Sequence, residues 1–156
     1  MVDRTLVLRK LSNLEMYYNQ ISEYQSITLA QYAGTWKTQR IVERTLQMMI
    51  ETCCDIAGHI IADRKYRIPD SYADTFAVLL ENHVVDEPAA TSLMQMVKFR
   101  NVVVHDYDHV DGEIVIGILR KRLTDFMTFR DAVVQLLSAG QQGKQPQMNA
   151  NPKDRN

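Results

Sequence analysis

The sequence predicts an all-α fold, an antiparallel up-and-down bundle of four main helices plus a short one. Three observations lead there. Apolar residues recur at spacings of three and four over long runs, the period of an amphipathic helix. Start and stop signals punctuate those runs, with candidate caps at Asp3, Thr35, Ser71 and Asp86 and breaks at Gly34 and Asn82-His83. No strand alternation competes. Val102-Val103-Val104 and Ile114-Val115-Ile116 are β-branched, but both lie inside longer helical registers.

Taken in order, the first helix opens at Asp3 and carries Val7, Leu11, Leu14, Tyr18 and Ile21 on one face. A short helical piece continues to Ala33, where Gly34 breaks it. A long second helix begins after Thr35 and reaches about Arg64, with Val42, Leu46, Met49, Cys53, Ala57 and Ile60 as its apolar stripe. Asp55 and His59 stand four apart on it. That spacing suits a metal, yet no second carboxylate–histidine pair accompanies it, so the reading is a hydrogen-bonded or surface pair. The stretch from Arg64 to Asp70 is a basic, proline-containing connection. Ser71-x-x-Asp74 resembles a capping box and opens a third helix through Phe76, Leu79 and Leu80. Asp86-Glu87-Pro88 starts a fourth, because proline fits the first turn and an acid there favours the helix dipole. Its stripe is Leu93, Val97, Arg100, Val104 and, if the helix runs that far, Tyr107. After a turn over residues 108–112 a fifth, continuous helix carries Val115, Leu119, Leu123, Phe126, Phe129, Val133 and Leu137. Beyond it the chain is polar and aperiodic. The expected organisation is a helical domain over residues 1–138 and a disordered tail over residues 139–156.

The totals bound the function. A chain of 156 residues, 46% hydrophobic and 24% charged, makes one soluble domain with a real core. A net charge of −1 leaves no overall basic surface, so any polyanion must meet a local patch. Cys53 and Cys54 are sequence neighbours on a helix, which cannot easily bridge; two reduced thiols in a cytoplasmic protein are expected. No signal-peptide core or membrane-length apolar run is present. No cofactor and no metal site are read from the sequence.

Chemistry concentrates in Lys98-Phe99-Arg100-Asn101-Val102-Val103-Val104-His105-Asp106-Tyr107. Arginine offers a planar, permanently charged fork for a phosphate and for its transition state. Histidine titrates near neutral pH and can take or give a proton. Tyrosine can donate a hydrogen bond, stack on a base, or be modified at its phenol. RNA would supply its own nucleophile, the ribose 2′-OH, which DNA lacks. Helical geometry imposes a condition. Five residues separate Arg100 from His105, which turns their side chains about 140° apart on a straight helix. Either the helix ends or unwinds near His105, or a second copy of the chain completes the site. Read from composition alone, the same residues also serve as solvated caps at a helix C-terminus.

Arg100, Asn101, His105 and Tyr107 in this spacing resemble the signature of HEPN domains. The segments of residues 50–62, 68–72 and 99–107 resemble the HepT-like branch more narrowly, and the similarity runs from about Asp3 to Leu137. The resemblance implies a homodimer in which two signatures face one cleft. It implies a metal-independent endoribonuclease acting as the toxin of a type VII-like toxin–antitoxin pair. The implied partner is a minimal nucleotidyltransferase (MNT) antitoxin that attaches AMP to the motif tyrosine. Carried over by position, Arg100 and His105 are catalytic, Asn101 supports the phosphate or orients the site, and Tyr107 is AMPylated. Lys98 and the cluster Arg120, Lys121 and Arg122 are candidate RNA guides, as is Arg64-Lys65-x-Arg67. Two alternatives stay open: a non-catalytic nucleotide- or protein-binding HEPN module, and an interaction bundle in which the motif is only a cap.

Overall fold

A computed structural model describes residues 3–142 of the chain. Four long helices dominate: α1 (Arg4–Ser22), α3 (Trp36–Arg64), α5 (Glu87–His105) and α7 (Leu123–Gln142). Three short ones, α2 (Leu29–Ala33), α4 (Tyr72–Glu81) and α6 (Gly112–Lys121), fill the connections, so the all-α antiparallel bundle stands with two more short helices than expected. α1 packs along α3, α4 along α5, and α7 closes the bundle against α1, α3 and α5.

The caps explain most boundaries. The Asp3 carboxylate accepts from the Leu6 N–H at 3.0 Å, and Asp86 accepts from Ala89 at 2.9 Å, each satisfying a donor that helix geometry leaves open. Thr28 and Gln31 form a reciprocal capping box that makes the five-residue α2 a defined turn. Thr35 occupies the cap position of α3 without making a side-chain cap bond. At α4 the Ser71 hydroxyl accepts from the Asp74 N–H. The reciprocal arm is displaced by one residue, because the Asp74 carboxylate accepts from the Asp70 N–H at 2.9 Å.

Two expectations require correction. The fifth helix is not continuous: it breaks at Arg122, where φ is −121°, and becomes α6 and α7. Leu119 and Leu123 remain buried on either side, so the apolar period runs through the break with neither glycine nor proline to mark it. The carbonyl of Arg122 accepts from Asp125 three residues on, and the Ser92 hydroxyl binds the Asp125 carboxylate, tying the start of α7 to α5. Second, α7 continues to Gln142, past the residue-138 boundary. The rest of the expected tail, residues 143–156, lies outside the described residues.

The core is built from the stripes. Val7, Leu14, Val42, Leu46, Met49, Ile56, Phe76, Leu79, Leu93, Phe126, Phe129 and Val133 are all buried. Phe76 and Phe129 meet edge to face at 6.0 Å, joining α4 to α7. Among the buried polar groups, the Tyr32 hydroxyl donates to the Glu43 carboxylate at 2.8 Å. Burial and that carboxylate together push the phenol above its usual range.

Candidate active site

α3 presents a second, polar stripe beside its apolar one. Glu51, Thr52, Asp55 and His59 follow at spacings of one, three and four, which aligns them along one flank of the helix. Opposite this flank the chain leaves α3 through a left-handed Lys65 (φ 54°), passes Pro69 and re-enters a helix at Tyr72. α5 forms the adjoining wall with Val97, Arg100 and Asn101. The space enclosed is an open cavity of about 1170 Å³, which also reaches Tyr17 on α1. The connection is fastened by Arg67, whose guanidinium grips Asp74 at 2.7 and 2.9 Å and Glu81 at 2.7 and 2.9 Å. That guanidinium holds the Asp74 carboxyl down at about 2. Arg67 is thereby committed to structure, not free to guide RNA.

Arg100 is fixed on three sides. Its Nε and Nη2 donate to a single oxygen of Glu51, Oε1, at 2.9 and 2.8 Å. Gln47 donates to the same oxygen at 3.0 Å, so Oε1 gathers three donors. Nη1 donates to the Asn101 Oδ1 at 3.2 Å, and the guanidinium lies 5.2 Å from the centroid of the Tyr72 ring. Burial raises the Glu51 carboxyl, but the hydrogen bonds from Gln47 and Arg100 and the arginine charge more than reverse this, leaving it below its ordinary value. Cys54 lines the same cavity, and burial pushes its thiol up to about 12, which keeps it protonated.

His105 lies elsewhere. α5 stays helical through His105, whose peptide is followed by a regular bond from the Asp106 N–H to the Val102 carbonyl at 2.8 Å. The helix therefore ends one residue too late to swing His105 toward Arg100. Lys98, Val102 and His105 share one exposed stripe at steps of four and three, while Arg100 and Asn101 line the cavity. Neither Lys98 nor His105 has a side-chain partner among the described residues. Asp106 (φ −147°, ψ 47°) then breaks the helix, and residues Tyr107–His109 form a 3-10 turn. Tyr107 consequently leaves the Leu93–Arg100–Val104 stripe on which it was expected, and the residue is 59% exposed. Asp106 binds the His109 Nδ1 at 2.6 Å and draws the imidazole above its ordinary value.

The remaining expected residues fall into different places. Arg120, Lys121 and Arg122 stand at the end of α6, which packs on α2 and α7 and does not line the cavity. Arg120 donates to the Ile27 carbonyl at 3.3 Å, and Arg122 lies 3.9 Å from Asp125. Asp55 and His59 make the expected surface pair at 3.6 Å, with Lys10 also bound to Asp55. Glu51 and Tyr72 were given no role by sequence reasoning. The polar stripe on α3, at helical spacing beside an apolar one, was the available signal.

With this geometry in hand, the comparisons with known proteins are consistent with one another. The family model described as Ribonuclease HepT-like matches residues 14–133. The mRNA nuclease HepT of Shewanella oneidensis is 30% identical over 128 residues, covering 82% of this chain and 96% of that protein. The tRNA nuclease HepT of Aphanizomenon flos-aquae is 24% identical, covering 70% of this chain and 75% of that one. A solved structure of a tri-AMPylated Shewanella oneidensis HEPN toxin in complex with MNT antitoxin aligns with a TM-score of 0.78 and 30% identity. It covers 86% of this chain and 99% of the toxin. On the family match and this near-full-length relative, the chain belongs to the HepT-like ribonuclease family.

Proposed function

We propose that this chain is the endoribonuclease toxin of a toxin–antitoxin pair, that it cuts RNA without a metal, and that an MNT-type nucleotidyltransferase silences it by AMPylating Tyr107. The observation that carries the reading is the placement of a fixed cation and a free imidazole at the spacing of the family motif. Arg100 is oriented by Glu51 with one edge left toward Asn101, while His105 is open to solvent at a helix end. The ribose 2′-oxygen attacks the adjacent phosphorus and the bond to the 5′-oxygen breaks, leaving a 2′,3′-cyclic phosphate and a 5′-hydroxyl. His105 takes the proton from the 2′-hydroxyl, and an imidazolium or water returns one to the leaving oxygen. Arg100, aided by Asn101, balances the charge that builds on the phosphoryl oxygens. DNA, without the 2′-hydroxyl, is not a substrate.

Helical arithmetic supports a homodimer. Because α5 is regular from Arg100 to His105, one chain holds the two groups on diverging faces, and a second copy supplies the missing one. Val102 is exposed and Val103 and Val104 are half-buried beside the motif, an apolar strip suited to such a contact. Tyr107 suits AMP transfer: its phenol is exposed and unpartnered among the described residues, so its oxygen can attack the α-phosphorus of ATP with release of pyrophosphate. The added phosphate places negative charge beside His105, where RNA must approach. Lys98, on the His105 stripe, guides RNA to the site, and Arg120, Lys121 and Arg122 extend the basic surface. No helix among the described residues is long and apolar enough to cross a membrane, and we place the protein in the cytoplasm with its RNA.

The test is cleavage of single-stranded RNA by purified protein in EDTA. The wild type cuts and His105→Ala does not. Intact mass of protein made with its partner gains AMP units on Tyr107. Unmodified wild-type protein that leaves diverse RNAs intact would overturn the reading.

A further inference from the structure

The cavity beside Arg100 is larger than phosphate binding requires, and its charge is wrong for a polyanion. Glu51, Asp55 and Asp70 all line it, against Arg100 and His59. A phosphodiester drawn inside would meet more carboxylates than cations. A neutral, flat group carrying N–H donors meets none of that penalty. Two side chains are disposed to hold one. Tyr72 is 57% exposed and rests against the Arg100 guanidinium, which braces the ring from one side. Its phenol has no hydrogen-bond partner among the described residues, so the ring is held by stacking and not by its oxygen. Asp70, two residues earlier, has a carboxylate with no hydrogen-bond or ion-pair partner among the described residues. Asp55, by contrast, is occupied by Lys10 and His59.

We propose that this cavity is the nucleobase subsite of the RNA site. An unpaired base, guanine before the others, stacks on the open side of Tyr72 and donates its Watson–Crick edge to Asp70. Guanine is the best match because its N1–H and N2–H groups lie parallel and meet both oxygens of one carboxylate. A base can reach this position only when it is free of a duplex, so the substrate is single-stranded at the nucleotide next to the cut. With the base on Tyr72, its phosphate falls at the Arg100 edge of the cavity, and the acidic walls keep the rest of the backbone outside. This assignment rests on the nuclease reading above and adds to it the element that selects where RNA is cut.

The test uses the full chain carrying His105→Ala, so that bound RNA stays intact, and four fluorescein-labelled RNA decamers. One is uridine throughout, and the others carry a central guanosine, adenosine or cytidine. Fluorescence anisotropy at one salt concentration gives the affinities. The guanosine decamer binds tightest. Adding Tyr72→Leu weakens it roughly five- to 150-fold, the range measured for losing one base–aromatic stack. Tyr72→Phe stays within about twofold, which separates stacking from misfolding. Asp70→Asn removes the preference for guanosine and leaves the uridine decamer unchanged. Equal binding by Tyr72→Leu and Tyr72→Phe overturns the subsite. So does an Asp70→Asn gain of the same factor for all four decamers, which would make the carboxylate a mere repulsive charge. If no decamer binds the parent and the wild type cuts none of them, the nuclease reading fails and the subsite falls with it. If the wild type cuts while Tyr72→Leu binds normally, the subsite alone fails.

Discussion

Replacing Glu51 separates what its charge does from what its shape does. Arg100 Nε, Arg100 Nη2 and Gln47 Nε2 all donate to one oxygen, Oε1. Glutamine can present its amide oxygen at that point and keep the three bonds while losing the charge. Alanine loses both. A hydrogen bond to a charged group contributes about 1.5–3 kcal/mol when well shielded. The Arg100 side chain is 15% exposed but Glu51 is 38% exposed, so solvent screens the pair. We therefore expect a loss of about 1–2 kcal/mol for Glu51→Ala and about 0.5–1 kcal/mol for Glu51→Gln. In a domain of this size that lowers Tm by roughly 2–8 °C and 1–4 °C respectively. The pH dependence carries the sign. The folded Glu51 carboxyl lies below its unfolded value of 4.5, so its contribution is complete above 4.5 and is lost as pH falls through the folded value. Circular dichroism melts from neutral to acid should show the gap between wild type and Glu51→Gln closing toward low pH. A gap that stays constant or widens would refute this account of Arg100. Cleavage should fall further in Glu51→Ala than in Glu51→Gln, since only the former releases the guanidinium.

Three further outcomes follow from the packing and the ion pairs. Phe129→Ala removes a fully buried ring that meets Phe76 edge-on, and should cost about 3–5 kcal/mol in a urea titration. Arg67→Ala frees Asp74 and Glu81 and unfastens the connection before α4; limited proteolysis should cut between residues 65 and 71 faster than in the wild type, with the other helices resistant. Asp106→Asn removes the first cause of the raised His109 value, so the imidazole should titrate lower, toward 6.5, in an NMR pH series.

Much of the fold was legible because burial and capping agree with local sequence. Asp3, Ser71 and Asp86 cap where their side chains say they should, and the stripes of α1 and α3 are the core. The break at Arg122 was not legible, since Leu119 and Leu123 keep the helical period while the chain turns between them. The bond from Ser92 to Asp125, reaching across 33 positions, anchors the start of the second helix separately. At the site, Arg100 and His105 were legible from their spacing, and so was the angle of about 140° that a straight helix sets between them. Whether the helix end removes that angle depended on one residue: helical structure persists through His105 and fails at Asp106, so the helix end does not rescue the geometry. Glu51 and Tyr72 escaped notice because their meaning lies in reaching Arg100 across 49 and 28 positions of sequence, which no local pattern encodes.

The central claim is that Arg100 of one copy works with His105 of another on RNA. Mixing separately inactive Arg100→Ala and His105→Ala chains, under conditions that let subunits exchange, tests it directly. Shared sites predict recovery of RNA cleavage in EDTA, because each mixed pair contains one site with arginine from one chain and histidine from the other. Mixtures as inactive as their parents, with exchange demonstrated by mass, would contradict it.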